Sequence, residues 1–120
     1  MAHILVIDDE AMIREMFRRI LELEGYIVSE AAEGNEALAR CREQCPDLII
    51  TDLIMPDKEG IETIIEILRD CPETRIIAIS GGGRITAREY LELAETFGAD
   101  RTLSKPIGRD ELLAAVRALL

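Results

Sequence analysis

Asp47-Leu48-Ile49-Ile50-Thr51-Asp52-Leu53-Ile54-Met55-Pro56 is an apolar run that stops at a carboxylate. Leu48 to Ile50 are branched apolar residues with no polar alternation, the pattern of a strand buried on both faces in the middle of a parallel sheet. Asp52 falls where that strand emerges, and Pro56 forbids a regular continuation. Open parallel sheets bind ligands outside the carboxyl ends of their strands. A lone Asp at such an end often only caps the following turn, so its meaning depends on what else reaches the same rim.

Working outward, Ile4 to Ile7 form a short apolar strand followed at once by Asp8, Asp9 and Glu10. A helix is expected from about Glu10 to Glu24, with Ile13, Met16, Phe17, Ile20 and Leu21 as its buried stripe and Gly25 closing it. Tyr26 to Glu30 is a less apolar strand, expected at an edge. A second helix runs near Glu36 to Glu43, and Pro46 separates it from the central strand. A third begins near Gly60, with Ile61, Ile64, Ile65 and Leu68 inward, and Pro72 stops it. Arg75 to Ile79 is the fourth strand, ending in Ser80 and three glycines. A fourth helix opens at Thr86 and Glu89, a capping-box spacing, and closes at Gly98. Ala99 to Leu103 is the other edge strand, followed by Ser104, Lys105 and Pro106. The last helix starts around Arg109 or Asp110 and turns Leu112, Leu113, Val116 and Leu119 inward.

Strands and helices thus alternate five times with short connections, which predicts an α/β fold: an open, doubly wound, five-stranded parallel sheet of order 2-1-3-4-5 with five helices on its two faces. The 120 residues make one domain, residues 1–120, with no internal repeat and no linker. Apolar residues are 48% and aromatics 3% of the chain, so the core is aliphatic. The formal charge of −10 argues against direct nucleic-acid binding and against anionic membranes. No apolar run approaches the roughly 20 residues of a membrane span, and the first one ends in two aspartates, unlike a secretory leader. Cys41, Cys45 and Cys71 are odd in number and not at zinc-ribbon spacing, so free thiols in a cytoplasmic protein are expected. Cys41 and Cys45 are spaced to share a helix face, but with no nearby His they make a poor metal site.

The polar residues converge in this topology. Asp8 and Asp9 end the first strand, Asp52 the third, Ser80 the fourth and Lys105 the fifth, all on one rim. Three carboxylates there repel one another unless a cation is present. Oxygen-only ligands select a hard ion, and a compact carboxylate pair with waters suits Mg2+. With a Lys to grip an anion and a Ser hydroxyl to donate to it, an Asp beside Mg2+ is equipped to accept a phosphoryl group. Each piece has a plainer reading: Asp8-Asp9 as a helix cap, Ser80 as a turn residue, Lys105-Pro106 as surface. Gly81-Gly82-Gly83 is followed by Arg84 and Ile85, which is no phosphate-binding G-x-x-x-x-G-K-[ST] loop. Four strand ends agreeing is what the plainer readings leave to coincidence.

Over its whole length the chain resembles the receiver domain of two-component response regulators, chemotaxis receivers among them, whose fold is flavodoxin-like. The matching residues are Val6-Ile7-Asp8-Asp9-Glu10, Pro46-Asp47-Leu48, Thr51-Asp52-Leu53-Ile54-Met55-Pro56, Gly60, Ser80-Gly81, Gly98-Ala99 and Lys105-Pro106. The resemblance implies that Asp52 is the phosphoacceptor. It implies Mg2+ ligation by Asp9 and Asp52, by Asp8 largely through water, and by the Ile54 backbone carbonyl. Ser80, Gly81 and Lys105 would contact the phosphoryl group, and the Lys105-Pro106 bond would be cis. The implied partners are a histidine kinase or histidine phosphotransfer protein, and a downstream protein or effector domain engaged by the fourth helix, fifth strand and last helix. The module would be regulatory rather than an enzyme, promoting only its own phosphorylation and dephosphorylation. The alternatives are an aspartyl-phosphate hydrolase with turnover, although Ile54 stands where such enzymes carry a second acid, and a phosphorylation-independent interaction module.

Three departures from the family pattern stand out. Thr102 replaces the switching aromatic, leaving Ser80 and Thr102 as the expected switch pair. The loop Gly81 to Ile85 is glycine-rich and is expected to order on activation. Ile54 and Gly82 cannot hydrogen-bond a hydrolytic water, so slow self-dephosphorylation is expected.

Overall fold

A computed structural model describes residues 2–52, 60–81, 92 and 98–120. Five strands form one parallel sheet: β1 (His3–Ile7), β2 (Ile27–Ala31), β3 (Leu48–Asp52), β4 (Arg75–Gly81) and β5 (Arg101–Lys105). Their order is β2-β1-β3-β4-β5, as the alternating pattern predicts. The described helices are α1 (Ala11–Leu23), α2 (Gly34–Glu43), α3 (Gly60–Asp70) and a C-terminal helix, Arg109–Leu119. The helix expected from Thr86 to Gly98 lies mostly outside the described residues, although Glu92 is helical.

The period-two geometry of the strands divides the core in two. Leu5, Ile7, Ile49, Ile76 and Ala78 face α2 and α3 and pack on Ala37, Leu38, Ile64 and Ile67. Ile4, Val6, Leu48, Ile50, Ile77 and Ile79 face α1 and the C-terminal helix and pack on Phe17, Leu21, Leu112 and Val116. The central strands therefore bury both faces, and β3 is buried at all five positions. Burying one such Ile or Leu side chain stabilises the fold by about 1.5–3 kcal/mol, which sets the register of the sheet and hence which residues reach its rim.

Helix stripes are where expectation and structure part. Met16 is substantially exposed rather than buried, because Phe17 and Leu21 carry the inward face of α1 and Met16 lies at its border. On α3, Ile65 is partly exposed, whereas Ile67 is fully buried; the inward stripe runs through Ile64, Ile67 and Cys71. Ile61 lies outside the residues whose side chains are described. Strand β5 starts two residues later than expected, which makes Lys105 its last residue.

Free thiols at all three cysteines are also overturned. Cys45 and Cys71 are joined, with Sγ–Sγ 2.01 Å and Cα–Cα 5.7 Å, and only Cys41 is free. Helix α2 ends at Glu43, so Cys45 lies beyond it and does not share a helix face with Cys41. Packing α2 beside α3 brings Cys45, at the entry to β3, against Cys71, at the exit of α3, which sequence spacing does not reveal. Burial pushes the Cys41 thiol up to about 11, with the Asp70 charge adding to the effect.

Among the described residues, no helix is long and apolar enough to cross a membrane.

Candidate functional site

The carboxyl ends of the strands bring the acids together. Asp8 and Asp9 follow β1 directly, and the register places Asp52 opposite Ile79 on β4, one residue before Ser80. Asp8 is 1% exposed and Asp52 7%, yet neither is abandoned in the core. Lys105 Nζ donates to Asp8 Oδ2 and to Asp52 Oδ2, each at 3.1 Å. One ammonium thus holds carboxylates from two neighbouring strands, reaching across β4 from the edge of the sheet.

The turn after β1 fixes Asp8 further. Its amide donates to the Ala31 carbonyl at 3.1 Å, and its Oδ1 accepts from the Glu10 amide at 2.9 Å. The ligand atoms of Asp8, Asp9 and Glu10 all lie within 4.8 Å of one another, with Asp9 and Glu10 exposed. Glu10 is thus a fourth acid beside Asp8, Asp9 and Asp52, read from the sequence only as part of a motif.

Electrostatics follow from this crowding. Burial raises the Asp8 carboxyl above its ordinary 3.8; the Glu10 amide and Lys105 pull it back without cancelling, and the Asp52 charge adds to the rise. Burial pulls Lys105 down, but Asp52 and Asp8 outweigh it and hold the ammonium above its ordinary 10.5. The pocket is therefore an acidic well that, among the described residues, Lys105 holds together. Its donors are all oxygen, with no His or Cys among them, which fits a hard divalent ion such as Mg2+ and not a thiophilic one.

Ser80 is fully buried, and its Oγ has no hydrogen-bond partner among the described residues. A buried hydroxyl without a partner is uncommon and points to a role in a different state of the site. Ser80 pairs with Ser104 and Gly81 with Lys105 in the β4–β5 register, so the hydroxyl and the ammonium sit one residue apart across the ladder. Thr102 is half-buried and pairs with Ala78, two residues before Ser80. The Lys105-Pro106 peptide is cis, as the resemblance implies. Ile54 and the loop from Gly82 to Ile85 lie outside the described residues.

Sequence reasoning missed a second row of residues behind Asp8. Arg14 Nη1 donates to the Asp8 carbonyl at 2.6 Å, and Arg14 Nε donates to Glu30 Oε1 at 3.2 Å. Arg18 Nη1 donates to Glu30 Oε2 at 2.7 Å. The sequence offers no more than an Arg on a helix and an acid 16 residues later on a strand, a pairing visible only once α1 is seated on β2.

A parallel sheet of this order with acids, a hydroxyl and a lysine on one rim has the layout of an open α/β domain that binds its ligand at the carboxyl ends of the strands. The chain belongs to the response regulator receiver domain family, whose model matches residues 4–117. Receiver domains are the phosphoacceptors of two-component systems. The chain is 41% identical over 117 residues to the transcriptional regulatory protein ResD of Bacillus subtilis, covering 98% of this chain and 47% of that protein. It is 30% identical over 120 residues to the probable transcriptional regulatory protein TcrX of Mycobacterium tuberculosis, covering 98% and 49%. The chain spans about half the length of these relatives. Among solved structures, it superposes on response regulator protein TrrA from Thermotoga maritima in complex with Mg2+-BeF, with a TM-score of 0.87, 35% identity and full coverage of both chains. It also superposes on the chemotaxis protein CheY4 of Vibrio cholerae, with a TM-score of 0.88 and 30% identity, covering 100% of this chain and 99% of that one.

Proposed function

We propose that residues 1–120 form one receiver domain in which Asp52 accepts the phosphoryl group, and that Mg2+ is held by Asp8, Asp9, Asp52 and the Ile54 carbonyl. The observation that carries this reading is the convergence of Asp8 and Asp52 on Lys105 Nζ at 3.1 Å each. It brings two buried carboxylates from adjacent strands to one cation at the ligand-binding rim. A side-chain oxygen of Asp52 attacks phosphorus while the bond from phosphorus to the donor's imidazole nitrogen breaks, and that nitrogen departs with the electron pair. Mg2+, when bound by these residues, would neutralise charge on the carboxylates and on the phosphoryl oxygens. Lys105 then trades part of its contact with the carboxylates for a phosphoryl oxygen, and the Gly81 backbone lies beside it in the ladder. Ser80 Oγ, buried without a partner among the described residues, gains an acceptor in that oxygen.

Phosphorylation acts as a shift between two states, because the new anion makes contacts with Ser80 and Lys105 that the unmodified domain lacks. Ser80 and Thr102, on neighbouring strands, relay the shift to the surface of β5 and the C-terminal helix. The donor is a histidine kinase or a histidine phosphotransfer protein, and the recipient is a downstream protein or effector domain; the relatives' names as transcriptional regulators support the second. A cytoplasmic location follows from such partners. The Cys45–Cys71 bond runs against it, since reducing compartments keep most thiols reduced. Incubation with a small phosphodonor and Mg2+, followed by intact-mass measurement and donor consumption, tests the reading. One stable adduct per chain supports it; sustained turnover favours a hydrolase, and no adduct favours a phosphorylation-independent module.

A further inference from the structure

We propose that Arg14 is a positioning residue for the metal site: it holds the turn carrying Asp8 and Asp9 in its ion-binding shape, and Glu30 holds Arg14. This inference rests on the phosphoacceptor reading. The geometry is a chain of three contacts. The Asp8 carbonyl sits between strand β1 and the acidic turn, and Arg14 donates to it at 2.6 Å. The same guanidinium is steered by Glu30 on β2, whose second oxygen is fixed by Arg18. Arg14 and Glu30 are mostly buried, with side chains 17% and 25% exposed.

The planar fork matters here. Two nitrogens of one guanidinium point at two acceptors on different elements, which a lysine ammonium on a flexible stem does not reproduce. Every other polar group of Asp8 is already held: the amide by Ala31, one carboxylate oxygen by Glu10 and the other by Lys105. Without Arg14 the backbone carbonyl is the one free joint of this residue, and the Asp9 side chain swings with it. Groups that orient metal ligands in this way change metal affinity by roughly 10–100-fold when removed.

Electrostatics alone predicts the opposite sign. A positive charge beside an acidic pocket opposes a divalent cation, so its removal would tighten Mg2+ binding. The test is Mg2+ titration by calorimetry of the wild type, Arg14→Met, Arg14→Lys and Glu30→Gln, with thermal melts of each. The expected result is Mg2+ affinity about 10-fold weaker in Arg14→Met, and weaker in Arg14→Lys even though the charge is kept. Glu30→Gln weakens it less. Unchanged or tighter Mg2+ binding in Arg14→Met, with a lowered melting temperature, would show a merely structural residue and overturn the proposal. Should Arg14→Met fail to fold, Glu30→Gln decides, and unchanged affinity there overturns it equally. A wild type that binds no Mg2+, or whose binding survives Asp52→Asn and Asp9→Asn together, overturns the phosphoacceptor reading and this inference with it.

Discussion

Replacing Lys105 with Met keeps the side-chain stem and deletes the cation that, among the described residues, bridges Asp8 and Asp52. Both hydrogen bonds, at 3.1 Å, disappear, and two carboxylates with side chains 2% and 8% exposed are left facing each other. Breaking a fully buried ion pair costs about 3–5 kcal/mol. Lys105 is itself 22% exposed, so solvent screens part of the interaction, and about 1–3 kcal/mol is the expected loss. At roughly 4 °C per kcal/mol for a domain of this size, the melting temperature at pH 7 without Mg2+ falls by about 4–12 °C. The pH dependence carries a definite sign. The folded Asp8 carboxyl is already raised by burial, and removing Lys105 raises it further. The penalty of the variant is therefore present above that raised value and fades as acidification protonates Asp8. The folded Lys105 is raised, so its contribution is complete below its unfolded value near 10.5 and is lost as pH rises through the folded one. The difference between wild type and variant should form a plateau between the carboxylate and lysine ranges. Added Mg2+ should lift the variant more than the wild type, because no ammonium competes for the same oxygens. Melts recorded by circular dichroism across pH and Mg2+ concentration supply the data. Equal melting temperatures at pH 7, or a difference that persists unchanged into acid, would refute the idea that Lys105 offsets crowded acidic charge.

The Cys45–Cys71 bond closes a loop of 26 residues, for which the chain-entropy model gives about 3.5 kcal/mol of stabilisation. Reduction, or Cys45→Ser with Cys71→Ser, should lower the melting temperature by roughly 14 °C; no change between reduced and oxidised protein would show that the bond does not form in solution. Gly98 has φ +123°, and a Cβ there would run into Leu68 Cδ1. Gly98→Ala should therefore destabilise by about 1–3 kcal/mol in urea titration, and a neutral result would mean that the turn relaxes freely. The side chains of Ile54 and Gly82 offer no hydrogen bond to an attacking water, so the phosphorylated domain should lose its phosphoryl group slowly with Mg2+ present. Lifetime is read by intact mass over time, and Ile54→Glu should shorten it; a short-lived wild-type adduct contradicts the reasoning.

The architecture was legible because its signals are local. Apolar runs such as Ile4 to Ile7 and Leu48 to Ile50 mark buried parallel strands, and the polar residues ending each run mark the rim. Strand order then followed from alternation, and the convergence of Asp8, Asp52 and Lys105 followed from strand order. What stayed hidden depends on how helices seat on the sheet. Four- and three-residue steps leave a choice of stripe, and packing chose Ile67 over Ile65 on α3. The pairing of Cys45 with Cys71 needs α2 beside α3, and the Arg14–Glu30 contact needs α1 seated on β2, neither of which short-range pattern encodes. Glu10 was legible as a residue and not as a member of the pocket, since only the turn geometry brings its carboxylate beside those of Asp8 and Asp9.

The most direct measurement locates the phosphoryl group itself. Wild type and Asp52→Asn are incubated with a small phosphodonor, with and without Mg2+, and the adduct is mapped by borohydride trapping and peptide mass. The expected result is one adduct, at residue 52, dependent on Mg2+ and missing from the variant. An adduct of equal yield in Asp52→Asn, or one mapped to Asp8 or Asp9 in the wild type, would contradict the assignment of Asp52 as the group that attacks phosphorus.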